Sequence, residues 1–233
     1  MDDPHAVAAV LWTGGKDCSL ALHEARAAGL DVRALVTFTP RDPDFLAHPL
    51  PVLALQAQAA GLPHRRLVVE QPFRDGYERA LRTLRDEGVR VLVTGDIAEV
   101  AGHPNWVREC AEPLGLRVET PLWGRERPAL LARLLELRFR VVVSCVDTRR
   151  LPAGWVGRTL DAAAVAELRA LQASHGVDPS GENGEYHSLV LEAPFFAQRV
   201  DLGPCSTTPR GPWVALVPGA LRLVAGPGPA PRR

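Results

Sequence analysis

An unbroken apolar run over residues 6–12 ends in Thr13-Gly14-Gly15 and turns straight into residues 19–28, which have helical spacing and stop at Gly29. A strand that passes through adjacent glycines into a helix commits the chain to a βα unit, and such units close through right-handed crossovers to a parallel neighbour. The unit recurs. Residues 32–38 read as a strand, 50–60 as a helix stopped by Gly61, and 66–69 as a short strand. A helix over 73–87, with Leu81 and Leu84 on its apolar face, then leads to a fourth strand over 89–94. Strands alternating with helices predict a mostly parallel sheet covered on both faces, in which ligands bind beyond the carboxyl ends of the strands. The loops after Trp12, Phe38 and Thr94 are therefore the candidates for a site.

Further along, the pattern predicts a short helix at 105–114 broken by Pro113 and Gly115, a strand at 118–123, a helix at 128–137 and an apolar strand at 141–146. After Asp147 the texture changes. Residues 149–159 are irregular, Asp161 caps a helix ending at His175, residues 176–185 make a turn-rich loop, and 186–192 read as a strand. The expected organisation is a three-layer α/β domain with a parallel sheet over residues 1–124, a smaller α+β domain over 125–225 and a disordered Pro/Gly-rich tail over 226–233.

Charge excludes some functions. With 27 basic and 27 acidic residues the formal net charge is zero, so no global field draws the molecule to nucleic acid or an acidic membrane, and no extensive nucleic-acid surface is expected. Nor does any apolar run reach the roughly eighteen residues of a membrane span, and the amino terminus lacks a charged-then-apolar leader, which predicts a cytoplasmic protein; a homodimer is compatible with this composition. Cys18, Cys110, Cys145 and Cys205 are too scattered for a zinc site or redox dithiol and read as reduced, mostly buried thiols. His48, His103 and His187 are isolated and read as surface or packing residues.

Lys16 is the only lysine, Ile97 the only isoleucine, and Asn105 and Asn183 the only asparagines, in a chain rich in arginine, alanine and proline. Where arginine has replaced nearly every lysine, the surviving ammonium marks a place where a planar guanidinium would not serve. It stands in the loop best suited to an anion. Adjacent glycines at a helix start turn several backbone N–H groups towards one concavity at the positive end of the helix dipole. Thr13, Cys18 and Ser19 add side-chain donors, Lys16 a mobile charge and Asp17 a carboxylate. The spacing fits neither a Walker loop nor the three-glycine dinucleotide fingerprint. Gly95-Asp96 closes the fourth strand, so Asp96 is expected in the same crevice, to orient a nucleophile or help hold Mg2+ on phosphates; its bland alternative is a turn or capping aspartate.

A second concentration of unusual residues is Gly181-Glu182-Asn183-Gly184-Glu185-Tyr186-His187-Ser188, which alone reads as a turn with solvated acids. Together the two motifs point further. Thr13 to Cys18 resembles the Ser-Gly-Gly-x-Asp-Ser loop of the PP-loop ATP pyrophosphatases, a nucleotide-binding fold of the HUP type. Gly181 to Ser188 resembles the Gly-Glu-x-Gly-Glu-aromatic-x-Thr motif of their diphthine-ammonia ligase branch. The resemblance extends to Gly95-Asp96-Ile97, Pro121-Leu122-Trp123, Val156-Gly157-Arg158 and Ala193-Pro194-Phe195-Phe196. Thr13 and Cys18 stand where the family's pattern has serines, and Ser188 where it has threonine.

What the resemblance implies is an ATP-dependent ligase that splits ATP into AMP and pyrophosphate, activates a carboxylate as an acyl adenylate and lets ammonia or an amine form the amide. It implies ATP and Mg2+ as cofactors, with Thr13, Gly14, Gly15, Lys16, Asp17, Cys18, Ser19 and Gly95 at the phosphates and Thr37 and Phe38 beside adenine. Lys16, Asp17, Asp96, Glu182 and Glu185 would carry the catalysis, while Gly181, Glu182, Asn183, Gly184, Glu185 and Tyr186 would bind the acceptor. Two other readings compete. A tRNA-modifying PP-loop enzyme would show a basic face and paired cysteines, which this sequence lacks, and a non-catalytic adenine-nucleotide sensor would have no need of the second motif.

Overall fold

A computed structural model describes residues 6–99 and 105–226. The chain forms two compact units: one holds the residues up to Thr13, Asp17–Asp44 and Leu62–Gly124, the other Gly14–Lys16, Phe45–Gly61 and the chain from Arg125 onward.

The first unit is built on a five-stranded parallel sheet with the order β3-β2-β1-β4-β5. Its strands are β1 (Val7–Leu11), β2 (Asp31–Thr39), β3 (His64–Val68), β4 (Val91–Val93) and β5 (Arg117–Glu119). Ala8, Ala9 and Val10 of the central strand are fully buried, as an apolar run covered on both faces requires. Strand order reverses between β1 and β4, so the loops after these two strands flank the switch point of the sheet. The helix after β1, α1 (Lys16–Ala27), begins at Lys16 rather than Ser19: the residues expected in the turn wind into its first turn, where the Asp17 carboxylate suits the positive end of the dipole. α3 (Phe73–Asp86) and α4 (Trp106–Ala111) close a core of Leu81, Leu84, Leu92, Cys110, Ala111, Leu116 and Val118. Strand β5 stops at Glu119 rather than running to 123, because Pro121 has no amide to give a ladder and the Trp123 amide bonds the Thr120 carbonyl in a turn. His103 lies outside the described residues.

The second unit carries an antiparallel sheet ordered β7-β6-β10-β9 and a two-stranded sheet of β11 and β8. These are β6 (Arg140–Asp147), β7 (Tyr186–Glu192), β8 (Gln198–Asp201), β9 (Ser206–Arg210), β10 (Trp213–Val217) and β11 (Arg222–Ala225). The sequence pattern anticipates β6 and β7 but none of the last four. Strand β9 is exposed along most of its length and holds Pro209, so it has no apolar alternation to read; pairing with β10 across Gly211-Pro212 creates it. α2 (Leu50–Ala60) belongs to this unit, and its Ala59 carbonyl accepts the Ala197 amide. α5 (Arg127–Glu136) and α6 (Ala162–His175) complete it, the latter capped by Asp161 Oδ1 accepting from the Ala164 amide. The tail expected over 226–233 falls outside the described residues after Gly226. Among the described residues no helix is long and apolar enough to cross a membrane. Cys18, Cys110 and Cys145 are buried free thiols, whereas Cys205 is exposed.

Strand β6 ends on a buried carboxylate. Asp147 Oδ1 and Oδ2 receive the Arg149 fork, at 2.8 Å from Nε and 2.6 Å from Nη2, and these bonds hold the Asp147 carboxyl down to about 2. A carboxyl lowered in the folded state stabilises the fold above its unfolded value, near 4, and the contribution is lost as pH falls towards 2. Arg149→Gln should therefore move the acid-unfolding midpoint, followed by circular dichroism, to higher pH; an unchanged midpoint would show that this pair does not stabilise the fold.

Candidate active site

Within the parallel-sheet unit the structure gathers the residues at the carboxyl ends of β1, β2 and β4. The loop after β4 approaches so closely that a Cβ on Gly95 would sit 2.6 Å from the Cys18 amide nitrogen and 2.7 Å from the Asp17 carbonyl carbon. Only glycine lets the two backbones meet. Thr13 Oγ1 reaches Cys18 Sγ at 3.6 Å, and the Ser19 hydroxyl is buried with no hydrogen-bond partner among the described residues. A buried hydroxyl left without a partner is costly, and a phosphate oxygen is the kind of acceptor that would satisfy it.

Thr37 donates its hydroxyl to the Trp12 carbonyl at 2.6 Å, so it accepts from His64 Nε2 at 2.8 Å. Burial, aided by the Arg66 charge, pushes the His64 imidazole below its ordinary value. The Thr37 side chain thus ties β1, β2 and β3 together. The Phe38 ring packs edge-on against Tyr77 at 4.9 Å, which leaves backbone as what these two positions can offer a ligand. In β2 the Val36 carbonyl bonds the Trp12 amide and the Thr39 carbonyl bonds the Val69 amide, so alternation aims the Phe38 amide and carbonyl to the β1 side, past the last β1 residue. Asp96 Oδ2 accepts from Thr94 Oγ1 and from Asn105 Nδ2, each at 2.8 Å, and Asn105 Oδ1 in turn caps α4 through the Arg108 amide. Asp96 is a member of a capping network and sits at the switch point of the sheet as well.

In the second unit the middle of the glycine loop meets the second motif. Lys16 is buried, its Nζ 3.4 Å from Glu182 Oε1 and 5.8 Å above the Tyr186 ring, while its amide donates to Ser188 Oγ at 3.2 Å. That amide is therefore turned to β7 and is not one of the donors aimed at an anion. Gly14 has φ of 72°, and a Cβ there would lie 2.2 Å from Gln56 Oε1. Its carbonyl accepts from Gln56 Nε2 at 2.9 Å and from the Val190 amide at 3.0 Å. Gly15 is buried beside it.

Residues 178–186 wrap around Tyr186, whose hydroxyl donates to the Pro179 carbonyl at 2.7 Å. Gly181 has φ of 76°, and a Cβ would meet the Tyr186 carbonyl oxygen at 2.8 Å. Glu185 is fully buried. Its Oε1 takes the Asp178 amide at 2.9 Å and its Oε2 the Asn183 amide at 3.0 Å, so this carboxylate holds the loop in shape while Glu182, at the tip, faces Lys16. Gly184, φ 82°, packs near Trp213, and Asp178 is clamped by Arg127. His187 lies within 5.3 Å of the His48 ring; burial and, second, the Lys16 charge push it below its ordinary value.

Sequence reasoning passed over Gln56. It is a fully buried polar residue on the packed face of α2, and that misplacement in Leu50-Pro51-Val52-Leu53-Ala54-Leu55-Gln56 is the signal that could have found it. Its amide also donates to the Val190 carbonyl at 2.8 Å, so one side chain staples the glycine turn to β7. Gln56→Leu should destabilise the protein by about 2 kcal/mol or more in urea unfolding, because two buried carbonyls lose a donor. Stability within about 0.5 kcal/mol of the parent would remove Gln56 from the scaffold of the site.

Residues 6–118 match the family model of the diphthamide synthase N-terminal domain, and residues 127–213 that of the diphthamide synthase C-terminal domain. Three curated relatives, each named diphthine--ammonia ligase, align along most of the chain. The Danio rerio protein is 25% identical over 228 residues, covering 84% of this chain and 86% of its own. The human protein is 24% identical over 218 residues, covering 82% and 81%. That of Schizosaccharomyces pombe is 26% identical over 215 residues, covering 82% of this chain and 35% of its own. A solved structure titled as a predicted subunit of tRNA methyltransferase from Methanocaldococcus jannaschii covers 81% of this chain and 97% of its own at 18% identity, with a TM-score of 0.46, too loose a likeness to bear on function. Both halves of one enzyme are matched in order, over the same residues that build the glycine loop and the Glu182 loop, and the chain belongs to the diphthamide synthase family of amide-forming ligases.

Proposed function

We propose that the protein cleaves ATP to AMP and pyrophosphate in order to activate a carboxylate, which ammonia or another amine then converts to an amide. The observation that carries this reading is the meeting of Lys16 with Glu182, 166 residues apart in sequence and 3.4 Å apart in space. A glycine loop shaped for phosphate and a loop of a different motif share one ion pair, which a bare structural turn would not require.

The chemistry follows from where charge moves. A carboxylate oxygen of the acceptor attacks the α-phosphorus of ATP, the bond to the bridging oxygen breaks, and pyrophosphate leaves with the negative charge. Lys16, with donors from Thr13, Gly15, Cys18 and Ser19, meets that charge without reorganising, which lowers the barrier. Phosphate competes with Glu182 for the lysine, so nucleotide binding frees the Glu182 carboxylate to orient the amine that attacks the acyl carbon and expels AMP. Glu185 acts through the loop it holds. The backbone of Phe38, on the edge left open past β1, suits the hydrogen-bonding rim of adenine, while residues 125–225 supply the acceptor side. Diphthine is the acceptor in the names of the relatives; for this chain the class is a carboxylate.

Among the described residues no group of three or more His, Cys, Asp and Glu could form a metal cage. Magnesium would ride on the nucleotide phosphates and take only one or two carboxylates from the protein, here Asp17 or Asp96. When bound it would share the charge of the phosphates.

Incubation with ATP, an ammonium salt and a panel of carboxylates that includes a diphthine-bearing protein should release AMP and pyrophosphate in step with amide. ATP binding with no AMP release across the panel would identify a nucleotide sensor instead. Lys16→Ala should lower turnover by about a hundredfold or more; a near-parental rate would refute the role of the loop. Glu185→Ala should keep ATP affinity and lose amide product, with Glu185→Gln as the milder control, and loss of nucleotide binding in both would overturn the division of labour between the two loops.

A further inference from the structure

Outside the Lys16 loop, the second unit has an open cleft of about 560 Å³ lined by Arg149, Arg150, His175, Gly176, Val177 and Glu185. Nothing in the amidation scheme uses it. Its charges are layered. The two carboxylates lie inside, Asp147 with 3% of its side chain exposed and Glu185 with none, whereas the arginine heads face out, at 68% for Arg149 and 50% for Arg150. His175, also exposed, lines the cleft as well. An approaching ligand therefore meets cations first, with the balancing anions screened behind them.

The two arginines are held differently. Arg149 spends Nε and Nη2 on Asp147, which fixes the plane of its guanidinium and turns it into a rigid wall. Arg150 lies 3.9 Å from Glu185 Oε1, an attraction beyond hydrogen-bonding distance, and its guanidinium has no hydrogen-bond partner among the described residues. The buried Glu185 carboxylate is already satisfied by two backbone amides, so it orients Arg150 without consuming its donors. A fork of unspent donors beside a second, fixed guanidinium is the geometry that planar or tetrahedral oxyanions take. The facing wall is the carbonyl end of α6 at His175 and Gly176, which favours a donor. A ligand that carries a hydroxyl or ammonium beside its anionic group fits both walls.

We propose that this cleft is a second binding site, in which Arg150, backed by Arg149 and His175, holds the phosphate or carboxylate group of a small polar ligand. It is independent of ATP, and it touches the same Glu185 that shapes the Glu182 loop.

Calorimetric titration of the full-length protein, without nucleotide, tests the site with two probes: inorganic phosphate and glutamate. At least one should bind saturably, and the one that binds more tightly identifies the source of the anion. Arg150→Gln should weaken that binding at least tenfold and Arg150→Lys should weaken it less, and both effects should persist in a Lys16→Ala background, which removes what the glycine loop contributes to anion binding. Arg150 is half exposed and makes no side-chain hydrogen bond within the described residues, so these variants are expected to fold, which thermal melting verifies. The proposal fails if neither probe binds saturably, or if Arg150→Gln leaves the binding unchanged in the Lys16→Ala background, since the anion would then sit outside the cleft. Equilibrium binding without ATP is read, so an inactive amidation assay would leave this result standing.

Discussion

The carbonyl of Gly14 receives two buried hydrogen bonds, from the Gln56 side chain at 2.9 Å and from the Val190 amide at 3.0 Å, and this anchors the turn on which the candidate site is built. A glycine turn by itself is floppy, because glycine loses more backbone entropy than any other residue when it is ordered. Here the positive φ that only glycine adopts at low cost is combined with a contact so close that an added Cβ would displace the Gln56 amide. The turn cannot drift without leaving buried polar groups unpaired. Backbone donors on such a support are preorganised, which is the property electrostatic catalysis needs.

The ammonium of Lys16 poses the opposite problem. Burying a lone cation costs several kcal/mol, and a glutamate at 3.4 Å with an aromatic face at 5.8 Å offsets part of that. Because the cation is compact and on a flexible stem, the proposed function lets it leave Glu182 for a phosphate without rebuilding the loop; an arginine fork would need a planar partner at each end. The same economy appears in Glu185, whose two oxygens are consumed by loop amides. Two glutamates three residues apart thus divide into one that faces the lysine and one that keeps the loop in place.

Much of this was legible in residues alone. The β1 apolar run and the glycine pair announce a βα turn, since each is a local choice whose reason is local: periodicity and permitted dihedrals. The sequence reading puts Gly95 at the end of a strand and, by resemblance, at the phosphates. Its true constraint is the backbone of Cys18 pressed against it, a contact between segments distant in sequence. Asn105, rare in this composition, turned out to cap α4 and bind Asp96 at once. Strand β9 was invisible because a short, exposed strand with a proline has no pattern of its own and exists through its partner, and β8 and β11, four residues each, are too short to show one.

Sequence by itself determined the class of fold, the two motifs and the family, because alternating elements and short spaced motifs are written in neighbouring residues. Tertiary structure alone decided that Gly14 to Lys16 group with α2 and the antiparallel sheet, that Gln56 holds the turn, and that Glu182 and not Glu185 meets the lysine. The physical reason is the same in each case. Hydrogen bonds and ion pairs between residues distant in sequence, 42 positions for Gln56 and Gly14 and 166 for Lys16 and Glu182, depend on which buried groups lack a partner once the chain has closed, and no local pattern records that.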